Sequence, residues 1–304
     1  MKAVRLYEPV GIDGLKYEDV PEPTPAIGDV LVQVRACGIT PTELEWPLWT
    51  DALGHKRDYI IPAHEFSGVV VALGFGTAGV AVGDAVYGLI MGYRDGAAAE
   101  YIAIEAYNVA PKPKTLDHIQ AAAVPQAGLT SWQALFDHGH LRAGQSVVIH
   151  GAGGAVGLVG VQLAHRAGAF VIGTGRGSVK SRVLEMGADR FVDLEQNRWW
   201  ETIGPVDVVY DIIGGEVLAR SVAIVKPGGA LVSVTFPQSE IRPDIRTVHF
   251  VREPSRAQLR DLAQMVDAGK LRAEVGAVYP LSEARTAFAD QSGRKVRGKV
   301  ILQP

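Results

Sequence analysis

The stretch that most limits how this 304-residue chain can fold is Val147-Val148-Ile149-His150-Gly151-Ala152-Gly153-Gly154-Ala155-Val156-Gly157. Its apolar start predicts a buried strand. A glycine cluster follows, then a helix with Val156, Val159, Leu163 and Ala167 on one face. Strand, glycine turn and helix in that order make the first unit of a dinucleotide-binding fold. The glycines let the backbone turn tightly and approach a pyrophosphate, and the helix start offers free N–H groups and the positive end of its dipole. The strict spacing G-x-G-x-x-G is met here as Ala152-x-Gly154-x-x-Gly157. A glycine-rich turn alone is the bland alternative, but the strand before it and the helix after it favour a nucleotide site. Gly151, Gly154, Ala155, Val156 and Gly157 are the candidate cofactor contacts.

Around this unit the local pattern changes twice. Residues 1 to about 120 hold short β segments between Gly and Pro turns, as in Asp29-Val30-Leu31-Val32-Gln33-Val34-Arg35-Ala36, and suggest a small β domain. From about 122 to 253 strands alternate with helices. Strands are expected at 146–149, 170–174, 190–193, 206–212 and 229–234, the rhythm of a parallel sheet with crossover helices. Gly168 should close the first of these helices, and Ser178 reads as the N-cap of the next. Ser255-x-x-Gln258 resembles a capping box, ahead of an apolar stripe of Leu259, Leu262 and Val266 that stops at Gly269. The last strand, Lys299-Val300-Ile301-Leu302, should return to the β domain.

Composition sets limits on function. An apolar fraction of 47% and a charged fraction of 21% suit a globular protein with a sizeable core. A net charge of -3 gives no electrostatic case for nucleic acid or an anionic membrane. No apolar run reaches a membrane span, and the N-terminal residues lack the apolar core of a signal peptide, so the cytoplasm is expected. The single cysteine, Cys37, can form neither an internal disulfide nor a cysteine zinc site. It reads as a buried apolar residue.

Motifs in fixed order now extend from end to end. They are Pro62-Ala63-His64-Glu65-Phe66-Ser67-Gly68, Val82-Gly83-Asp84-Ala85-Val86-Tyr87-Gly88, Ala98-Ala99-Glu100-Tyr101, Pro125-x-x-Gly128-Leu129-Thr130 and the glycine turn. Asp211-x-x-Gly214-Gly215, Pro227-Gly228-Gly229 and Arg297-Gly298-Lys299-Val300 complete the series. In these motifs the chain resembles the medium-chain dehydrogenase/reductase superfamily, and within it the zinc-free quinone oxidoreductase (zeta-crystallin-like) branch. The resemblance implies an α/β protein: a GroES-like β-rich catalytic domain over 1–121 and 255–304, and a doubly wound Rossmann NADP-binding domain over 122–254. It also implies a homodimer and an active site in the cleft between the domains.

Zinc-dependent relatives hold their catalytic metal with a Cys, a His-Glu pair and a second Cys. By motif those positions fall on Thr40, on His64 with Glu65, and on Gln126. An imidazole with a hydroxyl and an amide is a poor zinc site, so no metal is expected. His64 is then either a structural remnant, hydrogen-bonded to backbone or Glu65, or a catalytic acid. A metal-free site must polarise its acceptor by hydrogen bonds alone, which suits quinones and α,β-unsaturated carbonyls (enones). Thr40, Thr42, His64 and Gln126 are the candidate catalytic donors; ordinary turn and core hydrogen bonding is their bland reading. Trp46 and Trp49 are either an aromatic substrate pocket or packing residues.

The choice of cofactor is read after the second strand of the alternating region. An NAD enzyme usually places an acid there to bind the ribose 2′-OH. Residues 173–182 contain none, whereas Gly175, Arg176, Ser178 and Lys180 could receive a 2′-phosphate. A solvated basic helix start is the alternative, although cations are disfavoured at that end of a helix dipole. NADPH is therefore the expected cofactor. The resemblance further implies that Thr130 and the Phe250-Val251 segment approach the nicotinamide end and that Ile213-Gly214 lies beside a ribose. The expected activity is zinc-independent, NADPH-dependent reduction of a quinone or enone. A zinc-type alcohol dehydrogenase and a non-catalytic NADPH-binding protein are the alternatives.

Overall fold

A computed structural model describes residues 1–235 and 242–304. The chain forms two compact units, Met1–Gln126 with Glu253–Pro304, and Ala127–Arg252.

In the second unit six strands pair in parallel. Their spatial order is Arg190–Asp193, Phe170–Gly175, Ser146–His150, Val206–Asp211, Val225–Ser233 and Arg246–His249. Numbered along the chain within the sheet this is 3-2-1-4-5-6, the doubly wound order. Each expected strand is present, with ends shifted by at most a few residues. The central strands read as unbroken apolar runs because both faces are covered: Val147, Val148, Ile149, Val208 and Val209 are all buried. The helix after the glycine turn, Ala155–Arg166, is buried from Gly157 to Ala164, a wider contact than the single stripe expected from its sequence. Gly168, at φ +78°, follows its end.

The first unit has two sheets among the described residues. Lys2–Leu6 pairs with Leu15–Asp19, and a larger sheet centres on the long strand Asp29–Ile39. Glu65–Leu73, Tyr101–Glu105 and Lys299–Gln303 all pair antiparallel with that strand. The last strand therefore returns to the β-rich unit as expected. Helix Arg256–Asp267 starts at Ser255, whose hydroxyl accepts the Gln258 N–H, and buries Leu259, Leu262 and Val266. The buried Tyr87 hydroxyl donates to the Leu259 carbonyl and ties this helix to the sheet. Among the described residues no helix is long and apolar enough to cross a membrane.

Candidate active site and cofactor site

The glycine turn, the segment 175–180, Ile213-Gly214 and Phe250-Val251 each lie at the C-terminal end of a strand of the second unit. Gly151 turns the chain with φ +75°, and Gly154 caps helix Ala155–Arg166 with no side chain, leaving first-turn N–H groups to a ligand. A Cβ on Gly157 would lie 2.2 Å from the Gly151 carbonyl oxygen, so glycine is what lets the helix pack against the turn. The strands before this turn and before Ile213 are neighbours, and between them the strand order reverses, the usual ligand crevice of such sheets. Ile213 reaches to within 3.3 Å of where a Gly151 Cβ would stand.

Asp211 fixes that second loop. Its buried carboxylate accepts the N–H groups of Ile213 and Gly214 and the hydroxyls of Ser233 and Thr235. Thr130 is buried in helix Pro125–Trp132, Phe250 is buried with its ring 4.6 Å from that of His138, and Val251 is exposed.

The region after the second strand differs from its sequence reading in two ways. Ser178 does not cap a helix: it lies in a 3-10 turn, Gly177–Val179, and helix Lys180–Glu185 starts after Val179 without a side-chain cap. A hydroxyl residue ahead of a helix caps it only when its own backbone is extended, and here the tighter turn takes that place. In addition, the third strand brings acids that residues 173–182 lack. A Cβ on Gly177 would stand 2.6 Å from the Asp193 carboxylate, and Glu195 lies 3.8 Å from Arg176. The latter pair is solvent-exposed, so the Arg176 guanidinium is only weakly held. Gly175 is half-buried, while Arg176, Ser178 and Lys180 are exposed.

The first unit holds a buried charged cluster. Ala63, at φ +69°, is one of four described non-glycine residues in left-handed conformation, and it turns the chain into His64. His64 does not bond Glu65. Its Nδ1 lies 2.5 Å from Glu43 Oε1, which also accepts the His64 amide. Glu43 Oε2 accepts the Thr40 amide, so this carboxylate joins the turn after the long strand to His64. Burial opposes ionisation of Glu43, but hydrogen bonding from His64, the nearby charges of His64 and Lys299, and the Thr40 amide outweigh it and hold its pKa below the usual carboxylate range. An ionised Glu43 keeps the His64 proton on Nδ1. With that proton on Nδ1, His64 Nε2 is a buried acceptor without a partner, an orphan that a donor group on a bound molecule can satisfy.

Glu65 pairs instead with Lys299 of the last strand, and its Oε2 accepts the Gln126 amide at 2.9 Å. Burial raises the Glu65 pKa, against the opposing charge of Lys299. Lys299 also donates to Thr40 Oγ1 at 3.2 Å. Trp46 is half-buried, its indole N–H donates to the exposed Thr42 hydroxyl, and its ring is tilted over His64 at 6.2 Å. Both Trp46 and Trp49 pack against the core of this unit. Cys37 is fully buried, and burial pushes its thiol pKa well up, as its apolar reading expects.

The donors at the inferred metal positions suit zinc poorly. They are the Thr40 hydroxyl, the Gln126 amide and one imidazole whose Nδ1 is already engaged. The Lys299 ammonium beside Thr40 would repel a divalent ion. Among the described residues no group of three or more His, Cys, Asp or Glu could hold a metal.

Two protein families match the chain: an alcohol dehydrogenase GroES-like domain over residues 26–114 and a zinc-binding dehydrogenase over residues 186–302. Similar proteins include a "Probable zinc-binding oxidoreductase, mitochondrial" of Arthroderma benhamiae, 34% identical over 92% of this chain and 91% of its own length. A quinone oxidoreductase of Rattus norvegicus is 30% identical over 99% of this chain and 97% of its own. The chain belongs to the medium-chain dehydrogenase/reductase superfamily. A 2-methylene-furan-3-one reductase of Solanum lycopersicum is 31% identical over all of this chain and 79% of its own length. The solved quinone oxidoreductase of Coxiella burnetii covers 100% of this chain and 99% of its own at TM-score 0.88 and 27% identity. Membership makes the chain an oxidoreductase of a nicotinamide-dependent superfamily, consistent with its quinone oxidoreductase branch.

Glu43 and Lys299 were not among the candidates drawn from the sequence. Glu43 ends the segment Cys37-Gly38-Ile39-Thr40-Pro41-Thr42-Glu43, and an acid three residues after a proposed donor was the available signal. Lys299 lies in the Arg297-Gly298-Lys299-Val300 motif, but nothing in the sequence ties it to Thr40.

Proposed function

We propose that this protein is a zinc-independent, NADPH-dependent reductase of quinones or enones. The observation that carries this reading is the buried cluster of the first unit, where a resident ammonium and an orphaned imidazole nitrogen stand among donors poor for zinc. The quinone oxidoreductase and furanone reductase relatives support the same acceptor classes.

When bound, NADPH supplies the hydride. The Gly151–Gly157 turn and first helical turn receive its pyrophosphate, and Ile213-Gly214 borders a ribose. Arg176, Ser178 and Lys180 receive the 2′-phosphate, with Arg176 leaving its weak pairing to Glu195. Thr130, Phe250 and Val251 serve the nicotinamide end.

In the first unit Thr40 donates to the acceptor oxygen, where negative charge develops as the carbon is reduced. His64 moves a proton at Nε2 while Glu43 holds Nδ1. Trp46 and Trp49 offer flat apolar walls, and Thr42 and Gln126 complete the polar border. A homodimer is part of the same proposal and is read by sedimentation. The function is tested by NADPH oxidation against quinones and enones, with NADH in parallel. Turnover that prefers NADPH supports the reading, and activity confined to alcohols or simple aldehydes contradicts it.

A further inference from the structure

Lys299 is almost fully buried, and a lysine in that setting persists only when paired. Its place follows from the fold. The last strand runs antiparallel to Asp29–Ile39 with Val300 opposite Ile39 and Ile301 opposite Gly38, so the next step in that register brings Lys299 beside Thr40. Gly38 provides the space: a Cβ there would lie 2.5 Å from Glu65 Oε1 and 2.7 Å from Lys299 Cε. A buried ion pair adds little net stability over well-packed apolar residues, so stability alone does not account for it.

A further role is visible in the hydrogen bonds. The ammonium is ion-paired to Glu65 and donates to Thr40 Oγ1. The Thr40 oxygen thus accepts from a cation, while no acceptor among the described residues takes its proton. A hydroxyl that accepts from an ammonium becomes a better donor itself.

We infer that Lys299, anchored on Glu65, is a positioning residue that holds the Thr40 oxygen and leaves the Thr40 hydroxyl proton to the acceptor oxygen. The inference rests on the reductase reading above. It assigns a task to a residue that acts on the acceptor through Thr40.

The test is the charge-neutral pair Lys299→Met/Glu65→Gln, which removes both charges and leaves no unpaired one. It is compared with Thr40→Val and with the triple variant. The readouts are kcat and KM for a quinone or enone, NADPH affinity by fluorescence, and equilibrium binding of 4-nitrophenolate, an oxyanion that needs no turnover. The double variant should bind NADPH as the wild type does. It should lose about tenfold to a hundredfold in kcat, below the loss of about a hundredfold to a thousandfold seen when an oxyanion donor is removed outright. It should also bind the phenolate more weakly, and adding it to Thr40→Val should have no further effect. Wild-type kcat in the double variant overturns the inference and leaves the reductase reading standing. Additive losses in the triple variant also overturn it, because Lys299 would then act elsewhere. A wild type silent on every acceptor overturns both. Should the double variant fail to fold, Lys299→Arg, which keeps the charge beside Glu65 but alters its reach to Thr40, decides: wild-type kcat and phenolate affinity overturn the inference, and losses that vanish in the Thr40→Val background sustain it.

Discussion

His150, one residue before the glycine turn, makes the stability of the nucleotide-binding unit depend on pH. It is fully buried. Its Nδ1 lies 2.8 Å from the Thr174 hydroxyl and its Nε2 lies 2.7 Å from the Ser221 hydroxyl, which itself donates to the Val217 carbonyl. A neutral imidazole has one donor and one acceptor, and two hydroxyls satisfy both. Burial lowers its pKa from 6.5 to about 4, with the Asp211 charge opposing. Because the folded pKa lies below the unfolded one, the unfolded chain binds the extra proton first. The contribution is therefore whole above pH 6.5 and is lost as pH falls toward 4. At 1.36 kcal/mol per unit the full loss is about 3 kcal/mol, and at about pH 5 roughly 2 kcal/mol of it is gone. Urea unfolding of the wild type and of His150→Asn, followed by circular dichroism between about pH 8 and pH 5, isolates this residue. The variant should be less stable at the higher pH, and the gap should shrink by about 2 kcal/mol at the lower. Parallel curves for the two proteins would refute the reasoning, since they would mean that His150 titrates alike folded and unfolded.

Three further outcomes are expected. Gly157→Ala places a methyl against the Gly151 carbonyl; overpacking of this kind costs about 1–3 kcal/mol, and both melting temperature and NADPH affinity should fall. Arg176→Glu should weaken NADPH about tenfold or more, the loss of one charge-assisted hydrogen bond, and leave NADH nearly unchanged in fluorescence titrations. Glu43→Gln removes the anion that keeps the His64 proton on Nδ1; kcat should fall by about tenfold or more and its pH profile should move, with NADPH affinity unaffected.

The parallel sheet could be read from the sequence because its central strands are buried on both faces and so appear as apolar runs between glycine-marked turns. The return of Lys299–Gln303 to the β-rich unit was legible from its motif. What stayed hidden was pairing across distance. The adjacent His64 and Glu65 suggested a mutual bond, but His64 lies just ahead of the strand that Glu65 opens, and each found its partner elsewhere, in Glu43 and Lys299. The basic stretch after the second strand was correctly free of acids, yet parallel pairing brings Asp193 level with Gly175, the register that also carries Glu195 toward Arg176. Ser178 misled because a hydroxyl residue announces a cap only when the backbone leaves room for one.

The most direct test of the central claim is NADPH oxidation by the purified protein with a quinone or enone, before and after exhaustive treatment with a zinc chelator. The account predicts turnover that the chelator leaves unchanged and that falls when NADH replaces NADPH. Loss of activity on chelation, with recovery on adding zinc, would contradict it and return Thr40, His64 and Gln126 to the role of metal ligands.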